Sequence, residues 1–179
     1  MKRPLVVTGG IASGKSTVVR FFGELGYSTL DADLVGREVF ESEIVQSELE
    51  NWFGTREGLR DAVRERMGDI EFRRKLDHLT HPLIFEQLGS SGADVLEIPL
   101  LIEAGLVSAF GAVVVCDCPI DVARDRLIER LGNIDLAEKM LNSQVNPSVR
   151  KVFSDEIIRT DVSLDSVRHM VQTVANTHL

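Results

Sequence analysis

The chain has few cysteines and no long apolar run, and these absences exclude several classes of protein. Its 179 residues include only Cys116 and Cys118, which are too few for a disulfide framework and have no second Cys/His cluster to complete a zinc site. No apolar run approaches the roughly 18 residues of a membrane span, and the first apolar stretch is too short for a secretion signal. We therefore expect a cytoplasmic protein with reduced thiols and no membrane partner.

Basic residues are also in deficit. There are 20 Lys and Arg residues against 28 Asp and Glu residues, which gives a net charge of −8. Such a chain repels long polyanions, so we expect no nucleic-acid partner, although a local site for a small anion is not excluded. Hydrophobic residues make up 44% and charged residues 27%, the composition of an ordinary globular domain, and we expect residues 1–179 to form one.

The first thirty or so residues predict a strand, a helix and a second strand. A buried strand is expected at Leu5–Thr8, a helix over 16–25 that ends at Gly26, and a short strand over 28–30. This is a βαβ unit, and it predicts a parallel sheet. Strand patterns return at 94–98, 112–116 and 156–158, so we expect an α/β fold of three layers, with about five parallel strands between helices.

A phosphate-binding pattern follows the first strand. Residues 9–16 read G-x-x-x-x-G-K-S, a P-loop in which glycines let successive N–H groups point at phosphate oxygens. Lys15 can reach the β- and γ-phosphates, the Ser16 hydroxyl can ligate Mg²⁺, and the amino end of the next helix favours negative charge. The residues expected to bind the nucleotide here are Gly10, Ile11, Ala12, Ser13, Gly14, Lys15, Ser16 and Thr17.

A P-loop alone does not define the reaction. A GTPase would need N-K-x-D for guanine, which is missing although residues 33–36 match D-x-x-G. A DNA-handling ATPase is usually larger and needs an acidic strand end, for which Asp117 is a candidate. A small-molecule kinase fits the short chain best. A kinase of nucleosides or nucleotides, and a nucleotide switch without acceptor chemistry, remain as alternatives.

Two carboxylates follow the second predicted strand. Asp31 and Asp33 come at its carboxyl end, which in a parallel sheet faces the ligand crevice beside the P-loop. A carboxylate there can orient or deprotonate an attacking hydroxyl group. Alternatively, one of the pair only caps the helix that begins near Leu34. From there to about residue 88 the patterns are helical, which predicts an insertion between two strands of the sheet.

Several motifs occur together and in order. They are Thr8–Ser16, the D-A-D of 31–33 with Arg37, His81-Pro82, and P-L-L-I-E at 99–103. In this combination the chain resembles dephospho-coenzyme A kinase. The resemblance implies a P-loop kinase core, an acceptor-binding insertion at about 34–88 and a lid at about 131–150. It also implies ATP- and Mg²⁺-dependent phosphorylation of the ribose 3′-hydroxyl of dephospho-CoA, which gives coenzyme A.

The resemblance assigns roles to individual residues. The implied catalytic residues are Asp33, as base or orienter of the hydroxyl, Asp31 and Lys15. On the acceptor side it implies Asp33, Arg37, His81, Leu100 and Glu103, and on the ATP side Arg130 and Lys139. Other interpretations stay open, because His81 could simply end a helix before Pro82 and Glu103 could be a solvated loop carboxylate. Arg126 and Arg130 suit triphosphate oxygens, or they bridge to acidic side chains.

Four positions depart from the family pattern. Ala12 stands where Gly is usual, and its methyl group is tolerated if the backbone there is not left-handed. Glu97 replaces a common Asp, so its metal or water contact is expected to shift. Lys139 replaces a lid Arg and loses the planar fork, so Arg150 or Arg130 is expected to take that role. Thr160 replaces an Asn that contacts the adenine side.

Overall fold

A parallel sheet lies at the centre of the computed structural model, which describes residues 3–102, 105 and 107–179. Its five strands follow the order β2-β3-β1-β4-β5, and every pairing between neighbours is parallel. The strands are β1 (Leu5–Gly9), β2 (Thr29–Asp31), β3 (Val95–Glu97), β4 (Val113–Asp117) and β5 (Glu156–Arg159). The predicted α/β fold class with a central parallel sheet is confirmed.

Helices connect these strands. They are α1 (Lys15–Glu24), α2 (Ala32–Glu41), α3 (Glu43–Phe53), α4 (Leu59–Arg66), α5 (Ile70–Ser90), α6 (Ile120–Leu131), α7 (Ile134–Asn142), α8 (Pro147–Val152) and α9 (Leu164–His178). The short α8 was not predicted, since six residues are too few to show a helical period. No helix in the described part of the chain is long and apolar enough to cross a bilayer.

The core lies where the central strands meet α1 and α9. All residues of β1 and β4 are buried, as expected of parallel strands that are covered on both faces. Phe21 and Phe22 of α1 pack with Val171 of α9 and Ile158 of β5 in one apolar cluster. This packing fixes β1, whose carboxyl end leads into the predicted phosphate loop.

The chain forms two compact units. One comprises Met1–Asp31 and Gly92–Leu179, and the other comprises Ala32–Ser91. The first contains the sheet, and the second contains α2 to α5. In the second unit α2 packs against α5, and side-chain caps at Ser42 and Asp69 begin α3 and α5.

Helix α5 does not end at His81. It runs from Ile70 to Ser90 with Pro82 inside it, so the interpretation of His81-Pro82 as a helix boundary is wrong. Proline removes the hydrogen bond to the carbonyl of His78. Because His78 and Pro82 are both exposed, water can satisfy that carbonyl.

Candidate active site

The phosphate loop needs glycine at its two motif positions. Gly9 has φ 150° and Gly14, the residue before α1, has φ 85°. A Cβ atom on Gly9 would lie 2.6 Å from both the carbonyl oxygen of Cys116 and the hydroxyl of Ser13. The spacing of the motif therefore reflects the path of the backbone from β1 into α1.

The side chains of Lys15 and Thr160 donate hydrogen bonds to backbone carbonyl groups of this loop. Lys15 Nζ donates to the carbonyl oxygens of Gly9 and Gly10 at 3.0 and 2.8 Å. The buried Thr160 hydroxyl donates to the Ser13 carbonyl at 2.8 Å. These bonds stabilise the curved backbone, as an anion-binding loop requires.

A pocket of about 350 Å³ lies on the loop. It is lined by residues 11–17 together with Glu97, Arg126 and Arg130. Three cationic side chains, including Lys15, thus accompany one acidic side chain, and the amino end of α1 adds positive potential. The pocket is suited to a polyphosphate even though the whole chain has a net charge of −8.

One acidic side chain, that of Glu97, lines this pocket at the carboxyl edge of the sheet. In the strand register Glu97 of β3 is paired with Asp31 of β2 on one side and with Val7 of β1 on the other. Glu97 shares the pocket with Ser16. Carboxylate and hydroxyl oxygens are the donors that Mg²⁺ prefers, so these residues fit a magnesium ion that also binds phosphate.

Three residues expected on the acceptor side lie in the Ala32–Ser91 unit. Asp33 and Arg37 are four residues apart on α2, so they share one face of that helix, and both are exposed. His81 lies on α5, the helix against which α2 packs. Its Nε2 is 3.6 Å from Asp77 Oδ1, and its ring lies 5.9 Å from that of Phe85.

The remaining predicted residues are placed differently. Leu100 is 55% exposed in the turn after β3. Glu103 lies outside the residues that the structure describes. Arg130 lines the phosphate pocket, whereas Lys139 is exposed on α7 and is not among the described residues that line it. The role of Lys139 toward ATP remains a prediction.

Comparison with known proteins shows the family to which the chain belongs. The family model described as dephospho-CoA kinase matches residues 4–166. The chain belongs to the dephospho-CoA kinase family. The dephospho-CoA kinase of Fusobacterium nucleatum is 30% identical over 188 residues, which cover 96% of each chain.

Solved structures agree with this membership. The dephospho-CoA kinase from Campylobacter jejuni is similar at 25% identity and a TM-score of 0.62, over 98% of this chain and 97% of that one. A structure from Thermus thermophilus is similar in fold, with a TM-score of 0.83 at 24% identity over the full length of both chains. The predicted family, and with it an ATP-dependent kinase, is confirmed.

One departure from the dephospho-CoA kinase pattern is strained. Ala12 has φ 57°, the one positive φ of a residue other than glycine among those described. The condition for tolerating its methyl group, a backbone that is not left-handed, is therefore not met. The left-handed conformation costs an L-residue roughly 1–2 kcal/mol. The usual glycine avoids this cost.

Thr160 has a structural role in this kinase. Besides its bond to Ser13, its hydroxyl accepts from Arg126 Nη1 at 3.2 Å, and its carbonyl oxygen accepts from Arg126 Nη2 at 2.6 Å. Arg126 Nη1 also lies 3.4 Å from the carbonyl oxygen of Ala12. Thr160 thus links the end of β5 to the phosphate loop and orients an arginine of the pocket.

The two cysteines border the loop as protonated thiols. Both are free; Cys116 is buried and Cys118 is half-buried. Burial raises the pKa of both thiols, and for Cys118 the charge of Arg126 opposes this shift. Neither thiol is an activated nucleophile, which agrees with the interpretation of two thiols at the end of a buried strand.

One residue that contacts the loop was given no role from the sequence. Gln144, in the connection between α7 and α8, accepts a hydrogen bond from the backbone N–H of Ile11 at 2.8 Å. The two residues are 133 positions apart, and nothing in the local sequence indicates such a contact.

Proposed function

We propose that this kinase transfers the γ-phosphoryl group of ATP to the ribose 3′-hydroxyl of dephospho-CoA, which gives coenzyme A and ADP. The observation that carries the proposal is the pocket in which the phosphate loop, Glu97 and two arginines come together. The membership of residues 4–166 in the dephospho-CoA kinase family supports this choice of acceptor. Its partners are accordingly two small anionic substrates.

On the donor side, the loop residues Gly10–Thr17 bind the phosphates of ATP. Lys15, already folded over the loop, turns toward the β- and γ-phosphates, and Arg130 and Arg126 neutralise further oxygens. Ser16, with Glu97 through water, would hold Mg²⁺, which neutralises charge on the phosphates when bound.

On the acceptor side, Asp33 orients the attacking hydroxyl and accepts its proton. Asp33 follows the last residue of β2 by two positions and lies in the first turn of α2, where the helix dipole favours a negative charge. Asp31, the last residue of β2, is the second carboxylate of this proposed pair. Arg37 and His81 contact the acceptor from the unit Ala32–Ser91, which we assign as the acceptor-binding insertion.

The reaction is an in-line displacement at phosphorus. The 3′-oxygen attacks the γ-phosphorus, its proton passes to Asp33, and the bond from phosphorus to the oxygen of ADP breaks. Most of the catalysis comes from positioning and charge neutralisation. Residues 131–150, as a lid, would exclude water that otherwise hydrolyses ATP, and Lys139 would act from there.

An acceptor panel tests this proposal. ADP release is coupled to NADH oxidation and measured with dephospho-CoA, with a nucleoside, with a nucleoside monophosphate and without acceptor. We expect dephospho-CoA alone to raise turnover well above the ATPase background. Turnover with a nucleoside or nucleotide instead, or none with any acceptor while ATP binds, would contradict the assignment.

A further inference from the structure

The contact between Gln144 and Ile11 differs from the other contacts that hold the phosphate loop. Lys15, Arg126 and Thr160 each donate to carbonyl oxygens of the loop, at 2.8 to 3.4 Å. Gln144 Oε1 instead accepts from a loop N–H, at 2.8 Å. Gln144 at the N–H and Lys15 at the Gly10 carbonyl thus hold the two sides of the peptide plane between Gly10 and Ile11, which is rigid.

Gln144 supports the loop and does not occupy the place of a phosphate. It lines a cavity of about 70 Å³, which has room for a few water molecules and shares Ile11 and Ser13 with the phosphate pocket. It is not among the described residues that line the phosphate pocket. The oxygen of Gln144 thus contacts the loop from the side of this cavity.

The close approach of two side chains to Gly10 agrees with this role. A Cβ atom on Gly10 would lie 3.3 Å from Gln144 Oε1 and 3.0 Å from Arg150 Nη1. Arg150 is 4% exposed, and Lys151 beside it pairs with Asp117 at 2.8 Å. The segment that carries Gln144 is therefore anchored to β4 and packed against the loop at a residue without a side chain.

From these contacts we infer that Gln144 is a positioning residue for ATP. It holds the Gly10–Ile11 peptide so that the loop has its phosphate-binding curvature before ATP arrives. Without this acceptor the peptide is held only through its Gly10 carbonyl, by Lys15 Nζ and by the N–H of Ser13. Because Lys15 turns toward the phosphates when ATP binds, the binding of ATP must then also order this peptide. The loss of one such hydrogen bond predicts an ATP affinity lower by roughly three- to tenfold. The inference rests on the proposed ATP site.

The test replaces Gln144 by a side chain of similar length without an acceptor oxygen. In Gln144→Met we expect weaker ATP binding in calorimetry without acceptor and an unchanged KM for dephospho-CoA. Amide exchange is expected to be faster than in the wild type in residues 9–13 and unchanged in the rest of the chain. Gln144→Glu keeps an acceptor oxygen and is expected to keep the exchange protection. Ser143→Ala is the matched control, since its exposed hydroxyl bonds only the carbonyl of Met140 among the described contacts.

The outcomes separate this inference from the proposed function. Unchanged ATP affinity and unchanged exchange in Gln144→Met overturn the inference, and tighter ATP binding shows that Gln144 competes with phosphate instead. A loss of protection throughout the chain, with a lower melting temperature, also contradicts it, because the role is then only structural. The proposed function fails separately, if the wild type binds ATP but dephospho-CoA does not raise ADP release.

Discussion

Replacing Thr160 by Val is expected to destabilise the phosphate loop. The two side chains have the same shape, but the Val side chain cannot donate to the Ser13 carbonyl or accept from Arg126 Nη1, whereas the backbone carbonyl at position 160 still accepts from Arg126 Nη2. Ser13 is 4% exposed, so its carbonyl oxygen loses the Thr160 donor at a buried position that water does not readily reach. A buried acceptor left without a donor costs about 1–3 kcal/mol.

The size of this effect can be measured as a melting temperature. For a chain of this length each kcal/mol shifts the melting temperature by about 2–4 °C, so a cost near 2 kcal/mol lowers it by about 4–8 °C. The affinity for ATP is expected to fall as well, because the Thr160 hydroxyl also orients Nη1 of Arg126 in the pocket.

Thr173→Val is the matched control for this substitution. Thr173 is exposed on α9, and its hydroxyl bonds a carbonyl of its own helix at 3.1 Å. Its replacement is expected to change stability by less than about 0.5 kcal/mol. Calorimetric melting curves of both variants check the difference. Equal melting temperatures for Thr160→Val and Thr173→Val would refute the argument that Thr160 supports the loop.

Three further outcomes follow from the site. Ala12→Gly should raise the melting temperature by about 1–3 °C, since relief of the left-handed strain exceeds the entropy cost of glycine; a lower value in calorimetry contradicts this. Arg130→Ala should raise the KM for ATP about tenfold and Lys139→Ala should raise it by less, because Arg130 lines the pocket and Lys139 does not. A larger KM for ATP in Lys139→Ala than in Arg130→Ala, measured by steady-state kinetics, would refute this expectation. The raised thiol pKa values of Cys116 and Cys118 predict slow alkylation at pH 7 and a folding stability that falls above about pH 8.5, where unfolded thiols ionise. Rapid native alkylation at pH 7, or stability that rises with pH there, contradicts this.

Local patterns predicted most of the fold. Burial on both faces requires the apolar runs of β1 and β4, and the turn of the phosphate loop requires its glycines. Each of these requirements shows in a few neighbouring residues of the sequence. Length matters in the same way, since the 15-residue helix α9 shows its period and the six-residue α8 does not. The interpretation of His81-Pro82 as a helix boundary was wrong because a helix that is exposed to water can tolerate a missing backbone donor.

Long-range contacts could not be predicted from such patterns. The bond from Gln144 to Ile11 and the bond from Thr160 to Ser13 join residues that are 133 and 147 positions apart. The backbone conformation of Ala12 likewise depends on the path of the whole loop. These details require the sheet order, which brings the ends of β4 and β5 beside the phosphate loop.

The position of the transferred phosphate tests the central claim most directly. Dephospho-CoA and ATP are incubated with the wild type and with Asp33→Asn, and the products are followed by phosphorus NMR. We predict a new phosphomonoester on the ribose 3′-oxygen, with kcat lower by about 10²- to 10⁴-fold in the variant while ATP binding persists. ADP without a new phosphomonoester on dephospho-CoA, or equal rates for both proteins, would contradict the account.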